Sequence, residues 1–137
     1  MSGYSATPLE RKLGWTEGMA ITVLAAPEAY LAWLRALPQG LAVSTRMSSR
    51  VGHAHVFATE RRWLKARLVA LRPVFDDDGF LWVSWPKKAA RVPTDITEDV
   101  IRELALPLGW VDVKVCAVDE VWSGLKLMIR KELRGKP

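Results

Sequence analysis

At 137 residues, half of them hydrophobic and 26% charged, the chain has the composition of a folded globular protein and can bury a core without staples, which excludes disordered and collagen-like classes. Its one cysteine, Cys116, cannot close an intramolecular disulfide, and its longest apolar run, from Met19 to Pro27 with only Thr22 interrupting, is far short of the roughly 20 residues of a membrane-spanning helix. The net charge of +5 admits an acidic partner, but Glu60 and Asp76-Asp77-Asp78 offset Arg61, Arg62, Lys65, Arg67 and Arg72, while Lys126, Arg130, Lys131, Arg134 and Lys136 close the chain; nucleic acid is therefore admitted as a partner but not favoured.

In chain order, the first eight residues carry neither a basic start nor an apolar run, so no secretory signal is expected and the reading is cytoplasmic. Pro8 to Gly14 predicts a short helical lead-in, and Ala20 to Leu24 a buried strand, because the apolar run is short and includes β-branched residues. Pro27 opens a helix whose stripe is Tyr30, Leu34 and Leu37, flanked by Leu31 and Trp33, and which stops at Pro38-Gln39-Gly40. Leu41 to Thr45 predicts a short strand, Arg46 to Gly52 a loop, and Ala54 to Ala58 another strand. A long helix from Glu60 places Leu64, Leu68, Leu71 and Phe75 on one face, with the basic residues elsewhere, and Asp78-Gly79 turns the chain out of it.

Phe80 to Ser84 reads as the next strand. Asp95 as N-cap with Glu98 three residues on matches a capping box, starting a helix with buried stripe Ile96, Val100, Leu104 and Leu108 that Pro107 and Gly109 end. Two half-buried strands follow: Val111, Val113, Val115 and Ala117 alternate with polar or small residues, as do Leu125, Leu127 and Ile129, and a turn near Asp119 to Gly124 makes them a hairpin. The order predicts a single domain over residues 1–137: an α/β, Rossmann-like three-layer sandwich with a mainly parallel sheet and a C-terminal antiparallel β-hairpin.

From the strand at Ala54 through the closing hairpin, this layout resembles class I S-adenosylmethionine-dependent methyltransferases, which implies that the last strand inserts antiparallel beside the one before it. The resemblance stops at the first loop. Those enzymes place a glycine-rich turn after strand one so that backbone can approach the cofactor, whereas this chain has Ala25-Ala26-Pro27-Glu28-Ala29-Tyr30. They also commonly place an acid after strand two, where this chain has Arg46 after Thr45; no cofactor is expected on these grounds. Ser2-Gly3-Tyr4-Ser5, Ala26-Pro27-Glu28, the run from Trp82 to Lys88, Pro93-Thr94-Asp95, the run from Val111 to Glu120 and the run from Trp122 to Lys126 are similar to a bacterial domain of unknown function, family 3052, a resemblance that brings no activity with it.

In such sheets ligands bind outside the carboxyl ends of the parallel strands. That edge is expected to gather Ala25 to Glu28, Thr59 and Glu60, the loop Ser84, Trp85, Pro86, Lys87 and Lys88, and the hairpin tip with Asp119, Trp122 and Ser123. The ligand-binding candidates are Ser84, Trp85, Lys87, Lys88, Asp119, Trp122 and Ser123: two indoles beside a charged rim, unless the indoles cap the core and the lysines are solvated. The other tryptophans are read as packing. His53 and His55 share a strand face but specify no third ligand, so no metal site is assigned, and Cys116 reads as core. No nucleophile-and-base set is visible, so no catalytic residue is assigned. Three functions remain open: a non-enzymatic binding or regulatory module for a small anionic ligand or a protein partner, which leads; a degenerate methyltransferase-like enzyme; and a nucleic-acid accessory protein. The reading leans against an enzyme, and the oligomeric state is undetermined.

Overall fold

A computed structural model describes residues 7–34 and 37–135. Six strands form one sheet in the order β2-β1-β3-β4-β6-β5: β1 (Ala20–Leu24), β2 (Ala42–Ser44), β3 (His53–Phe57), β4 (Phe80–Pro86), β5 (Trp110–Ala117) and β6 (Trp122–Ile129). The first four run parallel, and β6 lies antiparallel between β4 and β5. The α/β class, the mainly parallel sheet and the inserted final strand are as the sequence predicts. Four helices, α1 (Leu9–Leu13), α2 (Tyr30–Trp33), α3 (Arg61–Leu71) and α4 (Glu98–Ala105), cover the two faces.

Strand alternation sorts the core into two layers. Ala54 and Val56 of β3, Leu81, Val83 and Trp85 of β4, and Leu125, Leu127 and Ile129 of β6 meet Leu64, Leu68 and Leu71 of α3 and Ile101 and Leu104 of α4. The opposite parities, with Ile21, Val23, Phe57 and Trp82, meet Leu9, Leu13 and Trp15 around α1 and Tyr30 and Leu34 around α2. Helices on both sides leave β4 buried along its whole length, which explains its nearly continuous apolar sequence. The Asp78-Gly79 turn feeds β4, and Gly79 is required there because a side chain would run into the Gly52 carbonyl.

Several local expectations shift. The helix after Pro27 is a single turn; Leu34 is already extended, and Leu37 is exposed, so only Tyr30 and Leu34 of the expected stripe are buried, while residues 35 and 36 lie outside the described region. Asp95 does not cap α4. Thr97 does, its Oγ1 accepting from Val100 N at 3.2 Å, while Asp95 Oδ1 accepts from Arg61 N at 2.6 Å and so caps α3 from another segment. The buried stripe of α4 consequently uses Ile101 in place of Val100. In β5 a register irregularity between Asp112 and Lys114 breaks the alternation, and Val113 and Val115 are 50% and 48% exposed on the sheet edge rather than packed inward. The residues Ser2 to Ser5 quoted for the family resemblance, like Lys136, fall outside the described residues.

Candidate functional site

The sheet changes direction at β1. The chain passes from β1 through α2 to β2 on one side, then returns through an eight-residue loop (45–52) to β3 on the other side of β1. The carboxyl ends of β1 and β3 therefore flank a topological switch point, where open α/β sheets leave a crevice. Ala25, the first residue after β1, takes a left-handed backbone conformation with φ of 59°. For a residue with a Cβ this costs about 1 kcal/mol. The turn thus adopts without glycine a conformation for which glycine is the usual solution, and the absence of glycine is no bar to it.

Two cavities meet at Ala25. One, of about 300 Å³, is lined by Val23, Ala25, Ala26, Pro27, Glu28, Tyr30, Leu31, Val43 and Thr45, between the ends of β1 and β2. The other, of about 240 Å³, is lined by Ala25, Phe57, Ala58, Thr59, Glu60, Trp63 and Trp122. Phe57 and Trp122 meet edge to face at 5.1 Å, and Trp63 stands on the first turn of α3. The loop between β3 and α3 is tied down because the Thr59 carbonyl accepts from Thr94 Oγ1 at 2.6 Å and from Asp95 N at 3.3 Å.

Behind the first cavity runs a buried polar chain. Trp15 Nε1 donates to Tyr30 Oη at 3.3 Å, Tyr30 Oη lies 2.9 Å from His55 Nδ1, and His55 Nε2 lies 2.7 Å from Ser84 Oγ. A neutral imidazole satisfies the chain if Tyr30 donates to Nδ1 and Nε2–H donates to Ser84. Burial holds His55 down at about 3, so it is uncharged at neutral pH, and burial likewise pushes the Tyr30 phenol up despite the hydrogen bond from Trp15. Tyr30 begins α2 directly after the β1 loop, so this chain fixes where that loop ends.

The candidates from sequence separate in space. Ser84 is buried against His55; Trp85 packs on the α3–α4 side of the sheet; Lys87 is half-buried and its backbone N–H donates to the Val121 carbonyl; Lys88 is exposed. Asp119 Oδ1 accepts from Val121 N and Trp122 N at 2.9 and 2.7 Å, shaping the hairpin tip, and Ser123 pairs opposite Trp85. Of the seven, Trp122 alone lines either of these two cavities. Phe57 and Trp63, the latter read as packing, complete that wall; their signal was position, the last residue of a parallel strand and the first turn of the helix that follows it. His53 and His55 serve hydrogen bonds, His53 Nδ1 accepting from Phe80 N at 3.2 Å, and no group of three or more His, Cys, Asp or Glu is placed to hold a metal among the described residues. Cys116 is half-buried, and burial raises its thiol against the nearby Lys12, Lys114 and Lys87. No helix among the described residues is long and apolar enough to cross a membrane.

No protein-family model matches the chain, family 3052 included, and no curated protein matches its sequence. Solved structures do match. A putative type 11 methyltransferase from Sulfolobus solfataricus superposes with a TM-score of 0.63 at 12% identity, covering 93% of both chains. A SAM-dependent methyltransferase from Aquifex aeolicus gives 0.60 at 14% identity over 88% of this chain and 87% of that one. The B. subtilis m1A22 tRNA methyltransferase TrmK gives 0.60 at 10% identity over 93% of this chain and 67% of that one. These neighbours overturn the expectation of a non-enzymatic binding module and the leaning against an enzyme. The expectation rested on the missing glycines and on the absence of a nucleophile-and-base set; the left-handed Ala25 shows that the turn reaches its shape without glycine. The chain has the Rossmann-like fold of the class I S-adenosylmethionine-dependent methyltransferases.

Proposed function

We propose that the protein is an S-adenosylmethionine-binding enzyme of the methyltransferase type, holding its cofactor across the crevice between β1 and β3. The observation that carries the reading is the left-handed turn at Ala25 with a cavity on each side, at the switch point of a sheet whose solved neighbours include several methyltransferases. Fold likeness alone does not assign chemistry, so the reading stands on this local geometry. Bound there, the cofactor would supply an electrophilic methyl group.

The residues present fit such a molecule, with one exchange of roles. The cavity between β1 and β2 has apolar walls in Val23, Ala26, Leu31 and Val43 for a base, and the Thr45 hydroxyl and Glu28 carboxylate as partners for sugar hydroxyls. The acid thus comes from the β1 loop, because Arg46 occupies the place after β2 where an acid is commonly found. Tyr30 acts by positioning: its phenol is held by Trp15 and His55, which orients the loop carrying Glu28. Phe57, Trp63 and Trp122 give the other cavity an apolar wall, beside which a reacting group would sit. Membership of family 3052 is proposed on the motifs alone.

Isothermal titration of the purified chain with S-adenosylmethionine and S-adenosylhomocysteine tests the reading. Saturable binding is expected, weakened about tenfold by Glu28→Ala, the loss of one hydrogen bond to a charged group. Absence of saturable binding of either compound by protein with intact circular dichroism would overturn it.

A further inference from the structure

The cavity of Phe57, Trp63, Trp122 and Glu60 has a chemistry of its own. Three aromatic rings wall a space of about 240 Å³, which suits a compact head group better than a nucleoside. Indole faces attract cations through the ring quadrupole, most strongly where water is excluded. Trp63 already does so: the Arg67 guanidinium lies 5.2 Å from the centre of its ring.

The charge at the rim points the same way. Glu60 lines the cavity, its side chain makes no capping bond to α3, and its carboxylate has no hydrogen-bond or ion-pair partner among the described residues. No basic side chain lines the space. Of the cations close by, Arg61 pairs with Glu103 at 3.1 Å and Arg67 lies over the Trp63 ring, so neither pairs with Glu60. Lys87 and Lys88 do not reach the lining. Three aromatic lining residues with one unpartnered carboxylate favour a soft, bulky cation over an anion.

We infer that this cavity binds an alkylated ammonium group, a nitrogen cation bearing methyl substituents. Its source would be the methylated amine of a small molecule or side chain, held as the cation. As a statement about substrate class it rests on the methyltransferase reading; as a binding site it does not.

The test compares choline with its neutral carbon isostere, 3,3-dimethylbutan-1-ol, by calorimetry on the wild-type chain, Glu60→Gln and Trp122→Leu. Choline is expected to bind saturably and at least about fivefold more tightly than the isostere, and Glu60→Gln, a rim substitution, to weaken choline about fivefold while leaving the isostere unchanged. Trp122→Leu should weaken both. Equal affinity for the two probes, no saturable choline binding, or a Glu60→Gln variant that binds choline as well as wild type would each overturn the inference. A second arm separates this site from the cofactor's. Choline should still bind with S-adenosylhomocysteine present and Glu60→Gln should leave S-adenosylmethionine binding unchanged; a variant that weakens S-adenosylmethionine but not S-adenosylhomocysteine would mean that the cavity serves the cofactor and would overturn the inference. Choline binding without nucleoside binding keeps this site and overturns the methyltransferase reading; nucleoside binding without choline binding does the reverse.

Discussion

The two halves of the sheet are built to different standards. On the β3–β4–β6 side, an eleven-residue α3 and an eight-residue α4 seal a layer in which Leu64, Leu68, Leu71, Leu81, Val83, Ile101 and Leu125 are fully buried. On the β1–β2 side, α2 is one turn, β2 is three residues with none fully buried, and the return to β3 has no helix. The difference teaches that platform and crevice draw on different interactions. The platform rests on apolar area, worth about 2 kcal/mol or more for each fully buried leucine. The trimmed half has less such area and is held by directional bonds, Trp15 to Tyr30 to His55 to Ser84, that tie α2 to the centre of the sheet.

That contrast is breakable by substitution, and the largest effect belongs to the platform. Leu68→Ala should cost about 2–5 kcal/mol in urea unfolding, since a closely packed layer cannot collapse around the void. Next comes the polar chain: His55→Leu leaves Tyr30 Oη and Ser84 Oγ without their partner and should cost about 1–3 kcal/mol. It should also change the acid limb of stability. His55 titrates at about 3 in the folded chain against 6.5 unfolded, so below pH 6.5 the unfolded state binds the extra proton. Its contribution is complete above pH 6.5 and falls as pH drops toward 3, by about 1 kcal/mol per pH unit. The pH profile of His55→Leu should be flatter than wild type by that slope between pH 6 and 4; parallel profiles would show that the imidazole is not buried neutral.

Smaller effects probe the crevice and the edge. Ala25→Gly should raise stability by about 0.5 kcal/mol by relieving the left-handed strain, and Ala25→Val should lower it by about 1–2 kcal/mol, read as opposite shifts in unfolding midpoint. A stabilising Val would mean that the turn is not left-handed. Least of all, Val113→Thr on the exposed edge of β5 should stay within about 0.5 kcal/mol of wild type.

Much of the architecture was legible because strand signals are local. Ala20 to Leu24 is the strand the apolar run predicts, and Leu64, Leu68 and Leu71 fall on the face their spacing marks. The errors lie where a distant segment outbids a local one. Asp95 and Glu98 have the spacing of a capping box, yet Asp95 is nearer the free N–H of Arg61, thirty-four residues away, and Thr97 takes over the cap. Val113 and Val115 alternate correctly but meet no layer, because β5 is an edge and its register slips. At the site, a glycine count stood in for backbone geometry, and Ala25 shows that the left-handed turn itself forms without glycine.

The sequence by itself determined the class of fold, the parity of most strands and the absence of a glycine-rich loop, since all three follow from periodicity and residue type along the chain. Only the tertiary structure decided that β4 runs on to Pro86 and sets Trp85 in the α3–α4 layer, that His55 is neutral between Tyr30 and Ser84, and that Trp63 and Trp122 line one space with Glu60. The physical reason is that these facts depend on which strands are neighbours: residues 57 to 63 and residue 122 come from separate elements, brought to one edge by a sheet order that no local pattern encodes.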